Sequence, residues 1–162
     1  MAQNTERSVT LSVLDRLIDR DPRTSSEPPL SRAQSVRQFK DSVQRDLEWL
    51  LNTRRIAVPP EESLRELNRS VYAYGMPDFT AYSLSSPKDR TRLLRSLQAA
   101  LKLFEPRLAN VVVVPLESEG VAARTLRFRI EGLLLMDPAP EQVSFDTVLE
   151  LTSGQYEIAN AG

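Results

Sequence analysis

A chain of 162 residues, 41% hydrophobic and 27% charged, is long enough for one domain with a sizeable core. It contains neither Cys nor His, which excludes disulfides, thiolate or imidazole metal sites and every nucleophile that relies on a histidine base. With 21 basic and 22 acidic side chains, the net charge of −1 gives no whole-chain attraction to nucleic acid or to an anionic membrane.

Leu11, Leu14, Leu17 and Ile18 recur at helical spacing, interleaved with Asp15, Arg16 and Asp19, and predict a short amphipathic helix that stops at Asp21-Pro22. The charges in this stretch break up the apolar core that a signal peptide needs, and no segment has the ~18 consecutive apolar residues of a membrane span. The stretch "PRTSSEPPLS" reads as a linker by composition. Residues 1–30 are thus set apart as a helix and a Pro/Ser-rich tether, and residues 31–162 as the folded domain. The tethered helix is expected to stand off the core. A stripe that small cannot bury itself, so Leu14 and Leu17 either pack back on the domain or dock onto a partner.

Ser31 is placed to cap a second helix whose inner face carries Val36, Phe39, Val43, Leu47, Leu50 and Leu51, with Trp49 at the margin. A third, short helix is expected from about Ser63 to Val71, with Leu64, Leu67 and Val71 inward. In "YGMPDF", Gly75 can supply a left-handed turn, Pro77 blocks continuation, and Phe79 is expected to plug the core. Ser86-Pro87 opens a fourth helix with a buried stripe of Leu93, Leu94, Leu97, Ala100, Leu101 and Phe104.

Beyond Phe104 the period changes from 3.6 to 2. Val111 to Val114 reads as a strand buried on both faces. Leu126, Phe128 and Ile130 alternate with Arg127, Arg129 and Glu131, and Gly132 marks a bulge or a close backbone approach. Val143, Phe145, Thr147, Leu149 and Leu151 alternate in the next strand, and "TSGQ" turns into a last short one with Tyr156 and Ile158. Helices first and strands after predict an α+β fold, a small and mainly antiparallel sheet with the helices on one face.

Taken in order, "SVLDRLID", "DLEWLLNTRR", "SVYAYGMPDF", "FEPRL" with its valine strand, and "LRFRIEGLLL…FDTVLELTSGQYEI" resemble the TssE family of type VI secretion baseplate subunits. That family belongs to the wider group of contractile-tail baseplate-wedge proteins, sometimes labelled lysozyme-like. The resemblance spans nearly the whole chain. It implies a cytoplasmic structural subunit that joins the TssF–TssG wedge, is linked to TssK, and helps to start polymerisation of the TssB–TssC sheath. No cofactor and no direct membrane insertion are implied. The family's Glu-Pro-Arg signature maps onto Glu105, Pro106 and Arg107, where it is implicated in binding the helical core bundle of the wedge.

Pro106 fixes its own φ and pushes Glu105 towards an extended conformation, so the two flanking side chains should leave the corner in set directions. Arg107 then offers a planar fork of donors and Glu105 an acceptor. The residues alone favour a plain helix stop with Arg107 in a surface ion pair, and the resemblance favours an exposed contact, which could be truncated with a change in stability of only about 0.5 kcal/mol. A terminal strand at Tyr156 and Ile158 could accept a partner strand, or could simply close a hairpin. The rival function is a carboxylate-dependent peptidoglycan hydrolase. It needs two carboxyl groups about 5–9 Å apart, with Glu105 as the acid and Asp137 or Asp78 as its mate.

Overall fold

The computed structural model describes residues 9–18, 22–23, 30–116 and 125–160. Its helices are α1 (Val13–Leu17), α2 (Arg32–Asn52), α3 (Arg65–Asn68) and α4 (Pro87–Phe104), and its strands β1 (Leu108–Pro115), β2 (Thr125–Leu134), β3 (Glu141–Glu150) and β4 (Gln155–Asn160). The strands form one antiparallel meander in the order β1-β2-β3-β4, which confirms the α+β class. Most of the tether expected over 22–31 lies outside the described residues.

The two long helices start where their caps dictate. The Ser31 hydroxyl accepts from the Gln34 N–H while the Gln34 side chain accepts from the Ser31 N–H, a reciprocal capping box. Ser86 Oγ accepts from the Asp89 N–H and Pro87 occupies the first turn of α4. Phe39, Val43, Leu47, Leu50 and Leu51 of α2 and Leu93, Leu97, Ala100 and Leu101 of α4 are buried. α2 lies against β4 and α4 against β1, so the two helices together cover one face of the sheet. That face supplies Phe128, Ile130, Leu134, Val143, Phe145, Leu149, Tyr156 and Ile158 to the core. The other face is polar, with Arg129 and its cross-strand neighbour Asp146 in a bidentate pair at 2.6 and 3.1 Å.

Three expectations need correction. β1 is an edge strand, not one buried on both faces: Val111 is buried, whereas Val112 is 49% exposed. Its register shifts between Ala109 and Val112, where Asn110 has φ +54°, and a Cβ on Gly132 would lie 3.2 Å from the Ala109 carbonyl oxygen. The bulge is thus on β1, and Gly132 is the close approach opposite it. Second, no helix runs from Ser63 to Val71. α3 is a single turn, followed by a 3-10 turn at Val71–Ala73, and Leu64, Leu67 and Val71 are all exposed, Val71 by 88%. The Asn68 amide donates to the carbonyls of Glu61 and Leu64, and Ser70 Oγ accepts from the Tyr72 N–H. Such local side-chain bonds compete with helix propagation. Ala73, Met76 and Phe79 fill the core instead, Phe79 as expected.

Third, the N-terminal segment does not stand off the domain. Val9 is buried in the core and its N–H donates to Ser35 Oγ at 3.0 Å. α1 itself keeps Val13, Leu14 and Leu17 exposed, Leu14 by 47% and Leu17 by 76%.

Candidate partner-binding site

α4 ends because Pro106 has no N–H to continue it. The last helical bond runs from the Glu105 N–H to the Leu101 carbonyl at 2.9 Å, and the Leu108 N–H then reaches back to the Glu105 carbonyl at 3.1 Å. This is a four-residue turn with proline at its second position, the place where a fixed φ costs least. The Arg107 carbonyl accepts from the Leu135 N–H at 2.8 Å, which ties the turn to the end of β2.

The side chains of the corner do not simply project outward. Glu105 is only 4% exposed. Its Oε1 accepts from the Arg107 N–H at 3.2 Å and from Arg107 Nε at 2.6 Å, and its Oε2 accepts from Arg107 Nη2. Arg107 Nη2 also donates to Asp46 Oδ2 on α2 at 2.7 Å, and the guanidinium stands 5.9 Å over the Phe39 ring. The expectation that the pair stands exposed is therefore corrected: Glu105 is buried and Arg107 is turned inward onto it and Asp46. The pair is an internal brace between the corner and α2, and Pro106 and the outer part of Arg107 are what a partner can reach.

Asp46 extends the brace. Its Oδ1 accepts from Arg45 Nε and Nη2 at 3.0 and 2.8 Å, and Arg45 Nη1 donates to Asp15 Oδ1 at 2.8 Å. Acid and base thus alternate along Asp15–Arg45–Asp46–Arg107–Glu105, joining α1, α2 and the corner. The Arg45 guanidinium also lies 4.9 Å over the ring of Trp49, itself 52% exposed. Burial alone would lower the pKa of Arg107, but the Glu105 carboxylate and then Asp46 outweigh it and hold Arg107 above its ordinary value. Burial would raise the Asp15 pKa, yet the hydrogen bonds from Ser12 and Arg45 leave it lowered. Burial, then the charges of Asp46 and Glu105, push the Tyr74 hydroxyl up, and its ring meets Phe104 edge-on at 5.3 Å.

A family model described as baseplate wedge protein gp25 matches residues 37–139. The chain belongs to the baseplate wedge family. Searches of curated proteins and of solved structures each found no match. The matched span, which is the domain shared by TssE subunits, opens inside α2 and closes between β2 and β3. Both halves of the brace, Asp46 and Glu105–Arg107, fall within the matched span, whereas α1, β3 and β4 lie outside it. A wedge-family chain is a structural part of a contractile-tail or type VI baseplate.

Of the other residues singled out, Leu14 and Leu17 are exposed on α1, whose Asp15 is joined to the corner by the chain of ion pairs. Tyr156 and Ile158 do not belong to that surface. Both side chains are buried, and the strand edge beside them is occupied by α2. Asn52 accepts from the Tyr156 N–H at 2.9 Å and donates to its carbonyl at 3.0 Å, and Gln44 donates to the Ile158 carbonyl at 2.8 Å. The opposite edge is blunted too: Gln98 donates to the Val111 carbonyl at 2.8 Å, and Pro115 has no N–H. Asp78 is exposed and lies 3.6 Å from Arg54, and Asp137 is exposed in the β2–β3 connection. Among the described residues no group of three or more acids could hold a metal, and no helix is long and apolar enough to cross a membrane.

Arg45, Asp46 and Asp15 were not singled out from the sequence. On a helical wheel they look like solvated positions, and no local spacing relates position 46 to position 107.

Proposed function

We propose that this chain is the TssE-type structural subunit of a type VI secretion baseplate, working in the cytoplasm without catalytic activity. It joins the TssF–TssG wedge, which links it to TssK, and helps to start assembly of the TssB–TssC sheath. The observation that carries this reading is the braced corner: a rigid proline turn whose arginine is held by one buried carboxylate and one carboxylate of α2.

The partner surface we propose is composite. Pro106, the outer part of Arg107, Trp49 with its stacked Arg45, and Leu14 and Leu17 follow the line of ion pairs from corner to α1. Glu105 positions Arg107 and does not itself meet the partner. Aromatic and arginine side chains held in place in advance lose little freedom on binding and commonly dominate interfaces. Strand addition at Tyr156 and Ile158 has less support, because Asn52 and Gln44 would first have to leave that edge. The hydrolase reading has little support as well, since both Glu105 oxygens face Arg107 instead of an open cleft.

Co-purification with the TssF–TssG wedge tests the proposal. Trp49→Ala and the double change Leu14→Ala with Leu17→Ala alter exposed side chains and should melt almost as the parent does, yet lose most of the wedge. Wild-type recovery of the wedge by both variants would refute the composite surface. Release of muropeptides from peptidoglycan, abolished by Glu105→Gln, would restore the hydrolase.

A further inference from the structure

The outer face of α4 takes no part in the site described above. α4 carries Lys88, Arg90, Arg92, Arg95 and Lys102 against the single acid Asp89, in a chain whose net charge is −1. Asp89 is used locally, receiving the Ser83 N–H at 3.3 Å in the first turn. Among the described residues, none of the five cations is in an ion pair. This departs from the mixed charges that usually solubilise a surface helix.

Four of the five are also ordered, all but Arg90. Lys88, Arg92, Arg95, Ala99 and Lys102 follow one another at alternating steps of four and three residues. At 1.5 Å per residue they form a nearly straight stripe about 21 Å long, on the side opposite the buried Leu93, Leu97 and Leu101. Ala99 within it and Thr91 and Ser96 beside it are small and leave a shallow depression of about 590 Å³ between the cationic side chains.

The geometry points to a second docking surface on α4, separate from the braced corner, which receives an acidic helix of a protein partner. Steps of four and three are the repeat that keeps one helix in register along another. The small residues allow close approach, and the charge complementarity steers the encounter. An anionic membrane fits less well, since helices that lie on membranes set an apolar face beside the basic one, and the apolar face of α4 is used up in the core. Duplex nucleic acid fits less well because the rest of the chain is net acidic.

The test uses the full chain and two fluorescent helical peptides of identical composition. One places its glutamates at alternating four- and three-residue steps, and the other is scrambled. Anisotropy should show the ordered peptide binding on the order of tenfold more tightly, with the affinity falling as salt rises. Arg92→Glu should remove that preference, whereas Arg37→Glu on α2, which changes net charge equally, should leave it intact. Both positions are exposed, so folding is preserved and thermal melting verifies it. Equal binding of the two peptides, or equal loss in the two variants, would overturn the proposal. So would tighter binding to duplex DNA or to phosphatidylserine vesicles, or light scattering that shows a second copy of this chain as the occupant.

Discussion

Arg107 Nη2 stands 2.7 Å from Asp46 Oδ2, a bond between the turn after α4 and the middle of α2 across 61 positions of sequence. It converts a proline helix stop into a braced joint. The same guanidinium grips Glu105 through Nε and Nη2, so Arg107 is held from two sides.

Removing Arg107 leaves the buried Glu105 carboxylate unmatched, whereas removing Glu105 leaves Arg107 with Asp46 as its remaining carboxylate partner. Arg107→Ala should cost about 3 kcal/mol, and Glu105→Ala less, because Asp46 still pairs the guanidinium. At this chain length the cost of Arg107→Ala corresponds to a fall in Tm of roughly 6–12 °C. Differential scanning calorimetry measures it. Melting within a degree of the parent would mean that the brace contributes nothing to stability.

Asp15 sets the acid sensitivity of the α1 contact. Its folded pKa is lowered, so its contribution is whole above the ordinary value of 3.8 and is lost as pH falls through the still lower folded value. Trp49 is the only tryptophan and carries the Arg45 guanidinium that Asp15 holds, so its fluorescence reports the contact. A transition with a midpoint below 3.8 is expected, absent in Asp15→Asn. A transition that persists unchanged in Asp15→Asn would assign it to another carboxylate.

Two glycines with positive φ should behave differently. At Gly75, φ is +100° and a new Cβ would lie 2.4 Å from the Thr53 carbonyl oxygen, the acceptor of the Met76 N–H. Gly75→Ala should exceed the 1–3 kcal/mol or so expected for backbone strain alone, because that carbonyl must move. At Gly154, φ is +71° and nothing lies within 4 Å, so Gly154→Ala should cost only about 1–2 kcal/mol. Urea titrations of the two variants give the comparison, and equal midpoints would contradict it.

Asn52 and Gln44 guard the outer edge of β4. Asn52→Ala with Gln44→Ala should cost roughly 1 kcal/mol per lost bond. It should also expose a pairing edge and shift the chain towards self-association with rising concentration. Multi-angle light scattering reads this directly, and a strictly monomeric double variant would show that the edge is protected by other means.

How far these features could be read in advance depended on the range of the interactions behind them. The caps Ser31 and Ser86, the stripes of α2 and α4, and the alternation from Leu126 through Leu149 all act within a few residues, and each predicted its element. The turn at Pro106 was legible for the same reason. That Glu105 is buried was not, because the group that fixes Arg107 beside it is Asp46, which local spacing ranks as one more solvated helix position. Val112 was misread as interior because an apolar run does not tell an edge strand from a central one. The inward helix expected at Leu64–Val71 failed where Asn68 and Ser70 bond to their own neighbours.

Within the 21 residues of α2, Gln44 and Asn52 meet β4, Asp46 meets the corner and Arg45 meets α1. A helix of that length is a stiff rod of about 31 Å. A mechanical load applied to the corner would therefore not be absorbed where it enters. It would pass through the Arg107–Asp46 joint into the rod, and from there to α1 and to the sheet margin together. α2 is thereby the element through which a pull on one surface of this subunit is felt at the others.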